Sequence, residues 1–322
     1  MVRDGAPCKP ATRFASVRMS HRVGSVTVLF VFAMMVTFQK DVVVETLDLL
    51  EQAFDDQYLG CKREMERKLV KNNVLESEIS KSKKLKRAWE EANQIWMLKK
   101  NELRDKLPLS FKDDHGIALL TYTGFIREDF NNAVKLAGQS YTSYMDDFGF
   151  KWLHFYVTSA LQLLSESELF KQNTIYSGID ENIEVPPNGS INVKFGHFLY
   201  TSLDENEATV MGNESLLIIR EYPGVSVEDF SQFSFEREVL VPGYEVFTLS
   251  LATVGSNFNF ELETTRRFCS NFNCAYINGE NSKISVQSVH KCMSAAASAD
   301  RMHGLVYIGL LIFILLVVVT PL

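Results

Sequence analysis

Phe233 to Phe247 reads FSFEREVLVPGYEVF and sets two glutamates, Glu236 and Glu238, against the apolar run Val239-Leu240-Val241. Pro242-Gly243 then marks a turn, and Tyr244 to Phe247 begins a second apolar stretch. An apolar run bounded by turn residues reads as a buried strand. In an extended backbone residues i and i+2 project to one side, so both carboxylates are expected to point at one place. Like charges that close repel and raise each other's pKa. A solvated strand end explains such a pair; so does a site that needs two carboxylates. The spacing alone leaves both open.

Outward from this stretch the second half keeps the same character. NTIYSGI, INVKFGHFLYTS, ESLLIIREY and EVLVPGYEVFTLSLATV are rich in Val, Ile, Phe, Tyr and Thr, with Pro186-Pro187-Asn188-Gly189 among the turns between them. FNFELETTRRF alternates and reads as an edge strand. The first half changes period. In KSKKLKRAWEEANQIWMLKKNELRDKL, Leu85, Trp89, Ala92, Trp96 and Leu103 recur at helical spacing. FIREDFNNAVKLAG reads as a helix closed by Gly138, and FKWLHFYVTSALQLL as a buried helix with His154 in it. Helices first and strands second predict an α+β fold, a helical N-terminal half on a β-sandwich with mixed or antiparallel pairing.

The chain has 322 residues, 46% hydrophobic and 23% charged, with a net charge of −7. That length suits one large domain or two small ones, and the acidic balance argues against nucleic acid as the partner. No P-loop, dinucleotide-binding glycine fingerprint or Gly-x-Ser-x-Gly is present, and no His/Cys set stands at metal-ligand spacing, so no metal is expected.

Both ends read as processing signals. Residues 1–22 carry Arg3, Lys9, Arg13, Arg18 and Arg22 against Asp4, and Val23 to Phe38 is uncharged and largely apolar. This is the layout of a secretory signal over 1–38, cut near Gln39, and translation from Met19 would give a more ordinary one. Leu305 to Leu322 is an apolar tail preceded by the small residues Ser294 to Ala299. Residues 294–322 therefore read as a GPI-attachment signal that is removed, with attachment among Ser294 to Ala297 and the mature domain over 39–293. The expected location is the outer face of the plasma membrane; a secreted or single-pass form is the alternative. With Cys8 in the removed segment, Cys61, Cys269, Cys274 and Cys292 form an even set, for which three pairings exist. Sequons at Asn188 and Asn213 fit a secreted glycoprotein.

Taken in order, AFDDQYLGC (Ala53–Cys61), HGIALLTYTG (His115–Gly124), DFNNAVKLAGQS (Asp129–Ser140), HFYVTSALQLL (His154–Leu164), VKFGHFLYTSL (Val193–Leu203) and EREVLVPGYEVF (Glu236–Phe247) resemble the vertebrate arginine-specific mono-ADP-ribosyltransferase ectoenzymes. The resemblance implies NAD, with NADP as a variant, as co-substrate, and transfer of ADP-ribose to arginine on surface or extracellular proteins. It implies Glu238 as the catalytic carboxylate that stabilises the oxocarbenium-like centre as nicotinamide leaves, with Glu236 orienting the acceptor guanidinium. It also implies a Cys61–Cys274 bridge, which leaves Cys269 with Cys292. Two positions depart from the family pattern. Ser177 stands in Tyr176-Ser177-Gly178 where the NAD-binding Arg is expected, and Tyr200 replaces the first serine of Ser-x-Ser, leaving Ser202. Gly178 keeps its backbone for the nicotinamide. Lys194 reads either as a substitute cation or as a solvated lysine. These departures keep two alternatives in view, a catalytically silent surface glycoprotein on the same fold and an NAD glycohydrolase.

Overall fold

The computed structural model of the chain describes residues 44–45, 53–165, 174–180, 182–183, 191–212, 214–220, 225–254, 257–285, 288–289 and 292. The expected signal over 1–38, the expected attachment signal from 294 on and both sequon asparagines, Asn188 and Asn213, lie outside them. Among the described residues of the first half are the α-helices α1 (Lys62–Lys71), α2 (Val74–Lys81), α3 (Lys83–Leu103), α4 (Asp113–Tyr122), α5 (Arg127–Ala137) and α6 (Lys151–Ser165). α3 opens where the Ser82 hydroxyl accepts the Leu85 N–H at 3.1 Å, and buries Leu85, Ala88, Ala92, Trp96 and Leu103. Trp89, expected on the same stripe, is only half-buried against that core. α4 is buried on nearly every face, and Gly116 lets it approach α3: a Cβ there would stand 2.4 Å from the Trp96 ring. α6 is buried from Lys151 through Leu161. Its first free N–H groups, on Lys151 and Trp152, donate to the buried Glu78 carboxylate at 2.8 and 3.2 Å. His154 is a core residue, its Nδ1 2.7 Å from the Tyr58 hydroxyl and its ring stacked on Phe130.

The second half is one eight-stranded sheet built from β2 (Ile175–Ile179), β4 (Ile191–Val193), β5 (Leu199–Ser202), β6 (Ser215–Arg220), β7 (Val225–Ser226), β8 (Glu238–Val241), β9 (Glu245–Val254) and β10 (Asn257–Phe268). Their spatial order is β4-β9-β10-β6-β2-β5-β8-β7. A separate parallel pair joins β1 (Val44–Glu45) to β3 (Asn182–Ile183). β10 runs parallel to β6, and the other pairings in the large sheet are antiparallel. Val193, near one edge, shares an apolar cluster with Val239 and Val241, next to the other, so the sheet folds over itself and encloses a β-only core. Phe198, Val225 and Leu240 project the other way into the helical core. FNFELETTRRF is not an edge strand; it is β10, paired on both sides. Its alternation records a one-sided core, with Phe260 and Leu262 buried and Glu263 on the outer face. INVKFGHFLYTS is two strands, divided at Gly196, which adopts φ +67°.

The two halves are clamped by AFDDQYLGC. The Asp55 carboxylate takes Lys194 Nζ at 2.6 Å and the Asn271 N–H at 2.7 Å. Asp56 accepts the N–H groups of Cys274 and Ala275 at 2.9 and 2.8 Å, at the start of α8 (Ala275–Asn278). Cys61 is bonded to Cys274 across 213 residues, and Cys269 to Cys292 across 23. Lys194 is therefore neither solvated nor a cation of the cleft. It is fully buried, and its ammonium is divided among Asp55, Asn271 Oδ1 and the Cys269 carbonyl. A buried ammonium needs such a set of acceptors, which a strand pattern does not reveal. Lys194→Met leaves Asp55 buried without its countercharge and is expected to cost about 3–5 kcal/mol in urea denaturation, with Asp55→Asn in the same chain recovering part of the loss.

Candidate active site

Three adjacent strands set the site. Tyr176 of β2 lies opposite Ser202 of β5, and Ser202 opposite Glu238 of β8, so their side chains share one face. Beyond Tyr176 and Ser202 the two inner strands make no further pair, and the sheet opens there. The approach to Glu238 is not the extended segment that the two-residue spacing predicts. Ser234–Glu236 form a 3-10 turn, Arg237 adopts φ +47°, and only then does β8 begin. The left-handed residue turns the chain between the two glutamates, so strand alternation does not bring their carboxylates to one place: Glu236 stays on the turn and Glu238 enters the strand.

The glutamates sit in different surroundings. Glu238 is 0% exposed; its carboxyl faces the Arg127 guanidinium and the Ser231 side chain, and neither oxygen accepts a hydrogen bond of ordinary geometry among the described residues. Burial pushes its carboxyl up to about 8; Arg127 beside it pulls the other way, and Glu236 adds to the rise. Glu236, on the turn, is half-exposed, and its carboxylate accepts the Tyr200 hydroxyl. Burial, then this bond to an anion, raises the Tyr200 phenol. Ser202 does not touch the Glu238 oxygens. Its hydroxyl donates to the Glu236 carbonyl at 2.6 Å and accepts the Asp204 N–H at 2.9 Å, which fastens the turn that carries Glu236.

The departures at positions 177 and 200 take definite forms. Ser177 is buried, shares its face of β2 with Ile175 toward the β-only core, and donates to the Tyr200 carbonyl at 2.8 Å. Gly178 follows on β2 beneath α7 (Glu205–Met211); a Cβ there would lie 2.2 Å from the carbonyls of Ala208 and Gly212. Close packing of α7 therefore accounts for this glycine whatever else its backbone touches. Among the described residues no group of His, Cys, Asp and Glu could hold a metal ion.

Sequence reasoning missed the cation of the site. Arg127, the first residue of α5, has its Nη1 3.8 Å from Glu238 Oε1 and its guanidinium carbon 3.7 Å from the centre of the Tyr200 ring. One turn on, Asn131 donates to the Phe198 carbonyl at 3.0 Å and keeps a buried oxygen without a hydrogen-bond partner. The only signal in the sequence was that FIREDFNNAVKLAG carries an arginine in the first helical turn, where a positive charge is unfavourable to the helix dipole.

The family model for NAD:arginine ADP-ribosyltransferase matches residues 47–270. Bovine ecto-ADP-ribosyltransferase 5 is 36% identical over 77% of this chain and 79% of its own. Mouse T-cell ecto-ADP-ribosyltransferase 2 is 36% identical over 83% of this chain and 88% of its own. The crystal structure of the mono-ADP-ribosyltransferase ART2.2 superposes with a TM-score of 0.60 at 36% identity, covering 72% of this chain and 99% of that one. A mutant of ART2.2 solved in complex with NAD gives a TM-score of 0.59, over 71% of this chain and 98% of its own. With helices clamped on a curled mixed sheet and paired glutamates at its opening, the chain belongs to the NAD:arginine ADP-ribosyltransferase family.

Two outcomes are expected of the site residues. Gly178→Ala should lower the melting temperature by several degrees, a loss of about 2 kcal/mol or more, because both obstructing atoms are backbone carbonyls that cannot swing aside. For Glu238, a folded pKa of about 8 against an ordinary 4.5 means that the folded state holds the extra proton between those values. Stability is then full below 4.5 and is lost as pH rises through 8, at about 1.4 kcal/mol per pH unit at most. Glu238→Gln does not titrate, so its stability advantage should widen from pH 5 to pH 8 and level off above, as read by urea denaturation across that range.

Proposed function

We propose that the cleft splits NAD and transfers ADP-ribose to arginine, and the observation that carries this reading is the buried Glu238 carboxyl, facing Arg127 and two residues from Glu236, in a fold of this family. The bond between nicotinamide nitrogen and ribose C1 breaks, and nicotinamide leaves with the electron pair. The ribose becomes oxocarbenium-like. An ionised Glu238 next to that carbon lowers the barrier, as an anion does in glycoside cleavage. A guanidinium nitrogen of the acceptor then bonds to C1, and Glu236 takes the proton it loses. A carboxylate on a half-exposed turn suits that role, since the acceptor arrives from solvent. Tyr200 aims this carboxylate through its hydroxyl, and Ser202 holds the turn through the Glu236 carbonyl. In this reading the chemistry needs no metal, and NADP serves in place of NAD wherever its extra phosphate is accommodated. Gly178 presents backbone toward the nicotinamide side of the opening, and Ser177 tightens the strand beside it.

The secretory signal, the GPI tail, the sequons at Asn188 and Asn213 and the relatives' names, which are those of ectoenzymes, support a glycoprotein tethered to the outer surface by a glycolipid. No helix of the described residues is long and apolar enough to cross a membrane. A second reading, a silent surface protein on the same fold, is favoured by one observation: the Tyr200 ring and the Arg127 guanidinium lie beside Glu238.

One assay separates the two. Purified full-length protein is given labelled NAD and agmatine, and nicotinamide release and label transfer are followed. Glu238→Gln is expected to remove both. Glu236→Gln is expected to lose transfer to agmatine while nicotinamide release persists. In the wild type kcat/KM for nicotinamide release should climb with pH to a plateau above about 8, as Glu238 ionises in the free enzyme. Absence of both activities in the wild type would leave the silent reading.

A further inference from the structure

The Ser177 hydroxyl is spent inside the sheet on the Tyr200 carbonyl, so β2 brings no cation to the opening. Lys194 is committed to Asp55, and Arg237 stands exposed on its left-handed corner. The positive charge that does face Glu238 comes from the other half of the molecule, at the start of α5. Its base is fixed, because Phe130 and Val134 on the same helix are completely buried, while its own side chain keeps 23% of its surface exposed. Its head is loosely held. The 3.8 Å gap to Glu238 is too long for a hydrogen bond, the hydrogen bond to the Thr123 carbonyl is long at 3.4 Å, and the remaining contact is with the Tyr200 side chain. What orients it is the Tyr200 ring, whose hydroxyl is tied to Glu236. A serine at position 200 would offer no such platform, so Arg127 and Tyr200 work as a unit.

We propose that Arg127 is the NAD-binding cation of this chain, resting on Glu238 and the Tyr200 ring in the free protein and pairing with the diphosphate of NAD when the dinucleotide binds. The proposal rests on the reading that the cleft takes NAD. The charges fit the substrate at both ends. NAD carries a cationic nicotinamide ring and an anionic diphosphate, and the site carries one buried carboxylate and one forked guanidinium. Moving the guanidinium to the diphosphate also uncovers Glu238 for the ribose, and the cationic nicotinamide riboside end of NAD replaces Arg127 as its countercharge. Tyr200 guides the transfer by keeping its ring against the guanidinium as the side chain shifts.

The test measures binding of NAD and of nicotinamide riboside, which lacks the diphosphate, to the full-length protein. Arg127→Ala is expected to raise the Kd for NAD roughly 10- to 100-fold and to leave nicotinamide riboside within about twofold. Arg127→Lys, which keeps the charge but loses the fork and the stacking, should fall between wild type and Arg127→Ala. It also serves where the alanine variant does not fold. In turnover the change should appear in KM before kcat. Tighter or unchanged NAD binding by Arg127→Ala would overturn the proposal and make Arg127 a plug over Glu238. Equal loss for both ligands would overturn it as well, since that marks a packing role, and so would a loss confined to Arg237→Ala. A wild type that binds neither ligand refutes the NAD reading itself, and the proposal falls with it.

Discussion

Glu238 is completely buried, and its oxygens accept no hydrogen bond of ordinary geometry among the described residues. A group in that state would turn toward water if its backbone allowed it, because burying a carboxylate is costly even with the Arg127 guanidinium 3.8 Å away. The backbone does not allow it. β8 is paired on one side with β5 and on the other with β7, and the three residues after Glu238 are buried in the cores on either face. The sheet therefore overrides the preference of the side chain and holds a poorly solvated carboxylate at the place where the strands open. Positions that lower stability while serving chemistry are where selection for function outweighs selection for packing.

The site also depends on how the halves are joined. Glu238, Glu236, Ser202 and Tyr200 belong to the sheet, but Arg127 and Asn131 belong to the helices. Their relative position is set by the Asp55–Lys194 pair, by Asp56 capping α8, and by the Cys61–Cys274 bridge. A pair buried to 0% on both partners contributes little net stability, but it has one geometry that satisfies every donor. That geometry fixes register between the segment entering α1 and the strands, which keeps Arg127 over Tyr200. Thr123, at the end of α4, reinforces this by donating to the Phe230 carbonyl at 3.1 Å, just ahead of the turn that bears Glu236.

Much of the fold was legible in the sequence because period survives packing. The 3.6-residue stripe of α3, the apolar length of α6 and the β-rich second half all describe one-dimensional patterns that the structure keeps. Three readings failed, each where a local pattern does not carry the deciding fact. Alternation in β10 reports which face is buried, not how many neighbours the strand has, so an interior strand passed for an edge. The two-residue spacing of Glu236 and Glu238 presumed an extended chain, and the positive φ at Arg237 broke it. A charged residue in a strand pattern reads as solvated, but Lys194 met Asp55 from 139 positions away. Partners distant in sequence leave no local mark, which is also why Arg127 went unnoticed beside a strand 111 residues further on.

The corner at Arg237 explains why two carboxylates can be so close in sequence and still act apart. Had the chain stayed extended, both would have entered one buried pocket, and at most one could have ionised. The left-handed residue instead leaves Glu236 on a turn at the surface and delivers Glu238 to the interior. One carboxylate then lies on the solvent side, where the proposed acceptor would arrive, the other where water is excluded and an anion would act most strongly on a developing cation. Tyr200 and Arg127 complete the separation. The phenol hydroxyl binds the outer carboxylate, the phenol ring carries the guanidinium that faces the inner one, and a single side chain thus connects both without bringing their charges together.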